Sequence, residues 1–502
     1  MKKKLILAII AVLIIFAALF AFTNNGSSGA TEVSVDANAL EDRGNLVVDS
    51  KSLDENKGLY HTAAADTNAI LVKNGGALKL ADSILNKTGD TATSGDDADF
   101  YGVNSAVLVN TNGTLDISNV EINTNSKGSN GIFVTNAESS GNSSSGDAQG
   151  GEGGQPPEAT GNGGGEGGQP PEMPEGSGEG GQSPGGNGGG PGETTVSGTT
   201  EANIKNVKIT THSDKSRGLD ATYNGLINAE NVIINTDGQS CAALATDRGD
   251  GQVHVKNSDI NTGVSKSSGR GSPLIYSTGN ITLENSKGTS YVSQIACIEG
   301  KNSIELTNCD LKGYAEGNRK DGDAYVDSGG VFIYQSMSGD ADVGTSTFTA
   351  KNSILSIESD SEYYKTAPMF HVTNTKAIIN LESTELNYGG GLLLNVSGQS
   401  QWGTVGSNGG EVSFNANSEI LDGDIYVDSI SSLNLTLTST SFVGAINPDD
   451  DYGSTVVTIE SGSDWTLDGD SHITSLEKEG EINYNGHTLY VNGVAYTEEN
   501  PY

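Results

Sequence analysis

Residues 226–263, LINAENVIINTDGQSCAALATDRGDGQVHVKNSDINTG, hold one repeat unit and the opening of the next. Each unit starts with alternating apolar and polar residues that run into an Asn. An apolar residue and an Asn-Thr turn closed by Gly follow, as at Asn231, Val232, Ile234, Asn235, Thr236 and Gly238, and again at Asn257, Ile260, Asn261, Thr262 and Gly263. A second short apolar run, 242–245, lies between them, so one repeat is two brief strands and their turns. A unit this small cannot bury its own apolar face and gains a core only by stacking on its neighbours. The marked Asn recurs at Asn119, Asn206, Asn231, Asn257, Asn285, Asn308 and Asn352, with Ser383 and Ala416 at the equivalent points of weaker copies. No window shows apolar residues at helical spacing, so helix content should be very small.

Short strands at this period, alternating with Gly and Asn turns, predict an all-β, right-handed parallel β-helix, a solenoid advancing about 4.8 Å per coil. A β-sandwich or propeller is the competing fold, but blades would need a longer period and recurrent aromatics. Asn at one fixed place per coil can stack into an amide ladder that bonds from coil to coil. Cys309 follows Asn308 where Ser258, Ser286 and Ser353 follow the Asn of other coils, which marks it as a small inward residue. Cys241 and Cys297 fall about two coils apart, too far for a disulfide, so three free, buried thiols are expected.

The chain divides as follows. Residues 1–25 carry Lys2, Lys3 and Lys4 before an apolar run over 5–22, a signal peptide or a signal-anchor with its positive end inside. Residues 26–68 read as spacer and N-terminal cap, and 69–138 as the first coils. Residues 139–195 are a Gly/Pro/Glu-rich insertion with seven of the 11 prolines and almost nothing apolar, which predicts disorder. The repeat resumes in phase, favouring a loop extruded from one turn over a linker between domains. Residues 196–460 form the main β-helix and 461–502 the closing strands, which would cover the last coil's open edge.

With 64 Asp and Glu against 27 Lys and Arg, the formal charge is -37. That surface repels nucleic acid, and contact with a membrane falls to the N-terminal segment alone. The six His lack zinc spacing, and neither a nucleophile elbow nor a phosphate-binding Gly loop is present.

Second strands stacked in register would align Asp247 and Arg248, Ser277 and Thr278, Glu299 with Lys301, Gln335 and Ser336, then Thr373 and Asn374, flanked by Tyr276 and Tyr334. A neutral or amino sugar chain could lie along such a strip; its plain alternative is a solvated face with a few ion pairs. Asp247 and Glu299, two coil steps or roughly 9 to 10 Å apart, would be the carboxylate pair if the chain were an inverting glycoside hydrolase or a lyase. The signatures of pectin-degrading β-helix enzymes are missing. Asp321, Asp323 and Asp327 share a pattern with Asp422, Asp424 and Asp428, and clustered carboxylates on loops can hold calcium; plain acidic turns are the alternative. No other cofactor is expected.

The stretches 247–249, 271–278, 334–344 and 465–473 make the chain resemble a group of bacterial and archaeal cell-surface right-handed β-helix proteins described as adhesin-like. The last stretch is also similar to the end of autotransporter passenger domains. The resemblance implies the fold and a cell-surface location. The long repetitive face of such a rod makes a glycan or another cell-surface protein, bound over several coils, the expected partner of this exported, extracellular chain. It implies no catalytic residues. A wall or filament component without a ligand is a further reading.

Overall fold

The computed structural model describes residues 30–93, 95–138, 194–195, 197–266, 271–315, 320–321, 324–325, 329–336, 338–449 and 452–497. The signal or anchor segment and the disorder expected of the insertion lie outside these residues. Among the described residues no helix is long and apolar enough to cross a membrane.

The chain winds into a parallel β-solenoid with two principal sheets, one of 21 strands and one of 12. They are called here the long sheet and the short sheet. In the long sheet Leu226–Thr236 is one 11-residue strand in parallel register with Glu201–Thr211, from Glu201 opposite Leu226 to Thr211 opposite Thr236. In the short sheet Leu219–Thr222 pairs on one side with Ile132–Thr135 and on the other with Leu244–Thr246. Stacking begins before the rhythm is evident in sequence. Glu41–Gly44, Leu46–Asp49 and Ser52–Asn56 already pair in parallel with Gly58–Thr62, Ile70–Lys73 and Ala77–Thr88.

The marked Asn bends each long-sheet strand. Asn119, Asn206, Asn231, Asn257, Asn285, Asn308 and Asn352 all have φ between 47 and 56°. Asn enters this left-handed region more readily than other non-Gly residues. The amides form the expected ladder: Asn119 Nδ2 donates to Asp82 Oδ1 at 3.2 Å, Asn206 to Asn119 at 3.2 Å, and Asn308 to Asn285 at 3.0 Å. Ala416 is not the equivalent point of its coil. It is a buried strand residue opposite Leu381, and the left-handed residue is Ser418, two positions on and next to Ser383 in the stack. The inward alternation Val412, Phe414, Ala416 matches Ala377, Ile379, Leu381 of the coil before, and in both the bend comes two residues after the last inward side chain.

Past the bend, an inward backbone N–H leaves the strand ladder and a hydroxyl of the next coil accepts it. Ser258 N donates to Ser286 Oγ at 2.9 Å and Cys309 N to Ser353 Oγ at 3.1 Å. Cys309 occupies this small-residue column as expected, and all three cysteines are free and buried. The rest of the interior is apolar, mostly aliphatic with Phe348, Phe370, Phe414, Phe442 and Trp465 among it, and continuous from Val48 to Val491. Each fully buried Val, Leu or Ile contributes about 1.5–3 kcal/mol.

The coil stack runs on across the insertion. Thr114–Asn125 pairs in register with Glu201–Thr211, while Ala137–Glu138 and Thr194–Thr195 form a short antiparallel pair at its base. At the C-terminal end Trp465 is wholly buried and stacks on Phe442 at 5.9 Å, and Val494–Ala495 folds back antiparallel on Leu489–Val491. Helix is confined, among the described residues, to a 3-10 turn at Ala37–Ala39 and one unanticipated α-helix, Gly95–Tyr101, here α1.

Candidate functional site

Alternation puts two outward columns on the short sheet. Thr246, Ser277 and Ile298 align and point inward, so the residues that follow them, Asp247, Thr278 and Glu299, share one outward column. Tyr334 and Thr373 continue it, which places Tyr334 in the column and Gln335 in the turn beyond. The expected strip thus had Gln335 and Ser336 one step out of register. The other outward column holds Asp220, Ala245, Tyr276, Cys297, Phe332 and His371.

Over the middle coils this outward face is covered, while Leu46–Asp49, Ile70–Lys73 and Asp424–Val427 at the two ends of the sheet alternate. Ile132–Thr135, Leu219–Thr222, Ala296–Glu299 and Phe370–Thr373 are buried at every position, whereas a sheet wetted on one side alternates. α1 supplies one cover. It ends at Gly102 (φ +64°), where a Cβ would come 2.5 Å from the Phe133 ring, and Tyr101 stacks on Tyr223 at 5.7 Å. The turn after Tyr334 and the loop bearing Trp402 supply the rest: Tyr334 stacks on Phe332 at 4.6 Å and tilts against Trp402 at 5.0 Å.

Beneath α1 lies a charge cluster that the sequence reading missed. The Arg217 guanidinium reaches Asp247 Oδ2 at 2.6 Å, Asp99 Oδ1 of α1 at 3.2 Å and Asp220 Oδ2 at 3.6 Å. Lys215 adds a second cation on Asp99 at 3.0 Å. The Asp247 contact is ionic without hydrogen-bond alignment, and neither oxygen of the wholly buried Asp220 has an aligned donor. Burial pushes the Asp247 carboxyl up to about 7; Arg217 opposes this, while Asp99, Asp340 and Glu299 reinforce it. Asp220 is pushed well up by burial and then by Asp247. Three carboxylates outweigh burial at Arg217 and hold it cationic.

Glu299, 2% exposed, has its own partners. Tyr276 Oη donates to Oε2 at 2.9 Å, and Ser336 donates to Oε1 through its backbone N at 3.2 Å and through its hydroxyl. Burial raises its pKa while these bonds lower it. Gln335 Nε2 donates to the carbonyls of Ser336 and Ala341, both at 3.2 Å. Arg248 pairs with Asp340 at 2.6 Å and lies 3.8 Å over the Phe100 ring, and Lys301 bridges Asp342 at 2.9 Å and Asp250 at 3.3 Å. All seven candidate binding residues therefore engage other parts of the chain. An acid near pH 7 beside a second carboxylate has the makings of general acid–base chemistry, yet both groups are covered and paired.

Of the acidic loops, Asp323 and Asp327 lie outside the described residues, and Asp321 is described only as backbone in the pair Lys320–Asp321 with Ala324–Tyr325. Asp422 is exposed. Asp424 Oδ1 accepts from Ala445 N at 2.8 Å, and Asp428 accepts from Gly398 N at 2.8 Å and Ile430 N at 3.3 Å. Two of these three carboxylates thus cap backbone turns. Among the described residues no group of three or more His, Cys, Asp or Glu is arranged to hold a metal ion.

The long sheet carries the open face. A groove of about 790 Å³ crosses seven successive strands. Its floor is one outward column in register: Asp54, Lys79, Asp116, Asn203, Asn228, His254 and Thr282. A second row, Lys205, Glu230, Lys256 and Glu284, runs beside it. Asn203 Nδ2 donates to Asp116 Oδ1 and Asn228 Nδ2 to Asn203 Oδ1, both at 3.2 Å, and His254 Nδ1 lies 2.8 Å from Thr282 Oγ1. Burial lowers the His254 pKa, keeping the ring neutral at physiological pH.

No protein-family model matches the chain, and no curated protein matches it.

Proposed function

We propose that this chain is an exported, cell-surface protein of the adhesin-like right-handed parallel β-helix type. It is tethered by its N-terminal hydrophobic segment and binds a glycan or another surface protein along its stacked coils. The observation that carries this reading is the contrast between the two outer faces. The polar face of the long sheet is open over seven coils, while Asp247 and Glu299, the pair an enzyme would use, are covered and internally partnered. A rigid solenoid presents such a face already ordered, so binding costs little conformational entropy.

A filament reading is weaker on electrostatic grounds. The first coil's edge strands carry Glu41, Asp42, Asp49, Asp54 and Glu55 against Arg43, and the last coils carry Glu477, Glu479 and Glu481 against Lys478, so head-to-tail stacking brings two net-negative ends together. The test is a glycan array probed with the detergent-solubilised full chain, with and without calcium, and chromatography of the supernatant. Binding without released fragments is the expected result, and loss on chelation would bring in the acidic loops. Fragments abolished by Glu299→Gln would replace this reading with a polysaccharide-active enzyme.

A further inference from the structure

The groove on the long sheet has a chemistry that selects among ligands. We propose that it is the binding site for an uncharged, hydroxyl-rich polysaccharide lying along the rod axis and hydrogen-bonded through Asn203, Asn228, His254 and Thr282. This rests on the surface-binding reading above and narrows it to one face and one ligand class.

Length comes first. Seven strands in register span six steps of about 4.8 Å, so the floor runs for roughly 29 Å and offers one polar side chain per step. A pyranose ring is close to one step long, so an extended chain can repeat its contacts from coil to coil. Hydrogen-bonding capacity comes second. Asn203 uses one N–H on Asp116 and its oxygen on Asn228, which leaves a second N–H. Asn228 donates to Asn203 and to Glu201 Oε1 at 3.0 Å, and its carbonyl oxygen remains an acceptor. With the imidazole of His254 and the hydroxyl of Thr282, the floor offers both donors and acceptors, which suits sugar hydroxyls that are both at once.

Charge decides the class. The lining holds Lys79, Lys205 and Lys256 against Asp54, Asp116, Glu230 and Glu284, close to balance in a chain of net charge -37. After the uncharged Ala81 and Ser118, the flanking row alternates in sign over its last four coils, and Lys205 reaches Glu230 at 3.6 Å. Alternation at that spacing cancels the field a short distance out. A uronate or sulfated chain would meet Glu230 and Glu284 there, and a polyamine chain Lys205 and Lys256. An uncharged chain meets no such penalty. No Phe, Tyr or Trp lines the groove, so affinity must accumulate from hydrogen bonds repeated over several rings.

The experiment is calorimetric titration of the detergent-solubilised full chain with gluco-, manno- and N-acetylglucosamine hexamers and dimers, with hexagalacturonate as the charged control. A neutral hexamer should bind at least about tenfold more tightly than its dimer, and hexagalacturonate should not compete. Asn203→Ala/Asn228→Ala should weaken the hexamer about tenfold or more. Asn228→Arg, which places a long side chain across the floor, should do the same with an unchanged melting transition. Neutral-hexamer binding that survives both variants would overturn the groove assignment and leave the surface-binding reading standing. A preference for hexagalacturonate would overturn the ligand class. Silence towards every sugar, with capture of another surface protein, would overturn this proposal alone; silence towards both would overturn the surface-binding reading as well.

Discussion

The two sheets share one coil register but treat charge in opposite ways. Over the middle coils of the short sheet the outward columns are sealed by α1, the turn after Tyr334 and the Trp402 loop, and charges trapped there are held by buried partners such as Arg217. On the long sheet the columns that line the groove stay open, and charges alternate along a wetted row. A repeat therefore fixes which side chains face out, and the irregular segments between repeats decide which of those meet water. Function that needs access belongs on the face the irregular segments leave bare.

The sharpest way to break this comparison is to remove the buried cation. Arg217→Met leaves Asp99, Asp220 and Asp247 facing one another with only Lys215 nearby, and loss of one partner of a buried ion pair costs about 3–5 kcal/mol. Denaturant unfolding at neutral pH should show that loss, and it should shrink as the carboxyls take up protons at lower pH. A variant as stable as the parent would mean the short-sheet face is wetter than its burial indicates.

The next largest effect concerns a buried carboxylate that forms no ion pair among the described residues. Glu419 stands in the inward hydroxyl column, 3% exposed, accepting from Thr384 N at 2.9 and 3.1 Å. Burial pushes its carboxyl up to about 7. Its folded pKa exceeds the unfolded one, near 4.3, so protonation favours the folded state. That contribution is complete below about pH 4 and is lost as pH rises through about 7, a difference on the order of 3 kcal/mol. Glu419→Gln removes this dependence. The variant's stability relative to the parent should climb between pH 5 and pH 8; a constant difference across that range would sink the assignment.

Much of the fold was legible because its signals are local. An Asn in a left-handed bend, bonded to the Asn of the next coil, leaves one residue type at one place, and Cys309 was placed by the serines that share its offset. Register carried the reading as far as Asp247, Thr278 and Glu299. The cover over them was not legible, because α1 and the Trp402 loop do not repeat and the Arg217–Asp99 contact spans the insertion. Asp220 did carry a signal: a lone charge inside the apolar run 219–221, at an outward position that alternation would leave in water. The groove was readable too. Asn203, Asn228, His254 and Thr282 each stand three residues before a marked Asn, and Lys205, Glu230, Lys256 and Glu284 one before.

The ladder itself gives a smaller, separable effect. Asn231→Ala forces a residue with a Cβ and no polar side chain into φ 56° and removes the acceptor of Thr31 N, a cost of about 1–2 kcal/mol. Asn231→Gly keeps the bend and loses only the amide, so it should cost less. Equal costs would show that the amide bonds, rather than the bend, dominate this position.

The smallest expected effect returns to the comparison. Lys205, with its side chain 62% exposed, pairs with Glu230 across 3.6 Å of the open face. Exposed pairs contribute about 0–1 kcal/mol and fade with salt. Lys205→Ala should therefore shift the unfolding midpoint barely, and the residual difference from the parent should vanish in molar salt. Against Arg217→Met the two measurements form one experiment, an Arg under a cover in the turn before Leu219–Thr222 and a Lys in water on Glu201–Thr211 of the same coil. A cost for Lys205→Ala approaching that of Arg217→Met would mean that the long-sheet face is desolvated too, and the distinction between a sealed face and a bare one would collapse.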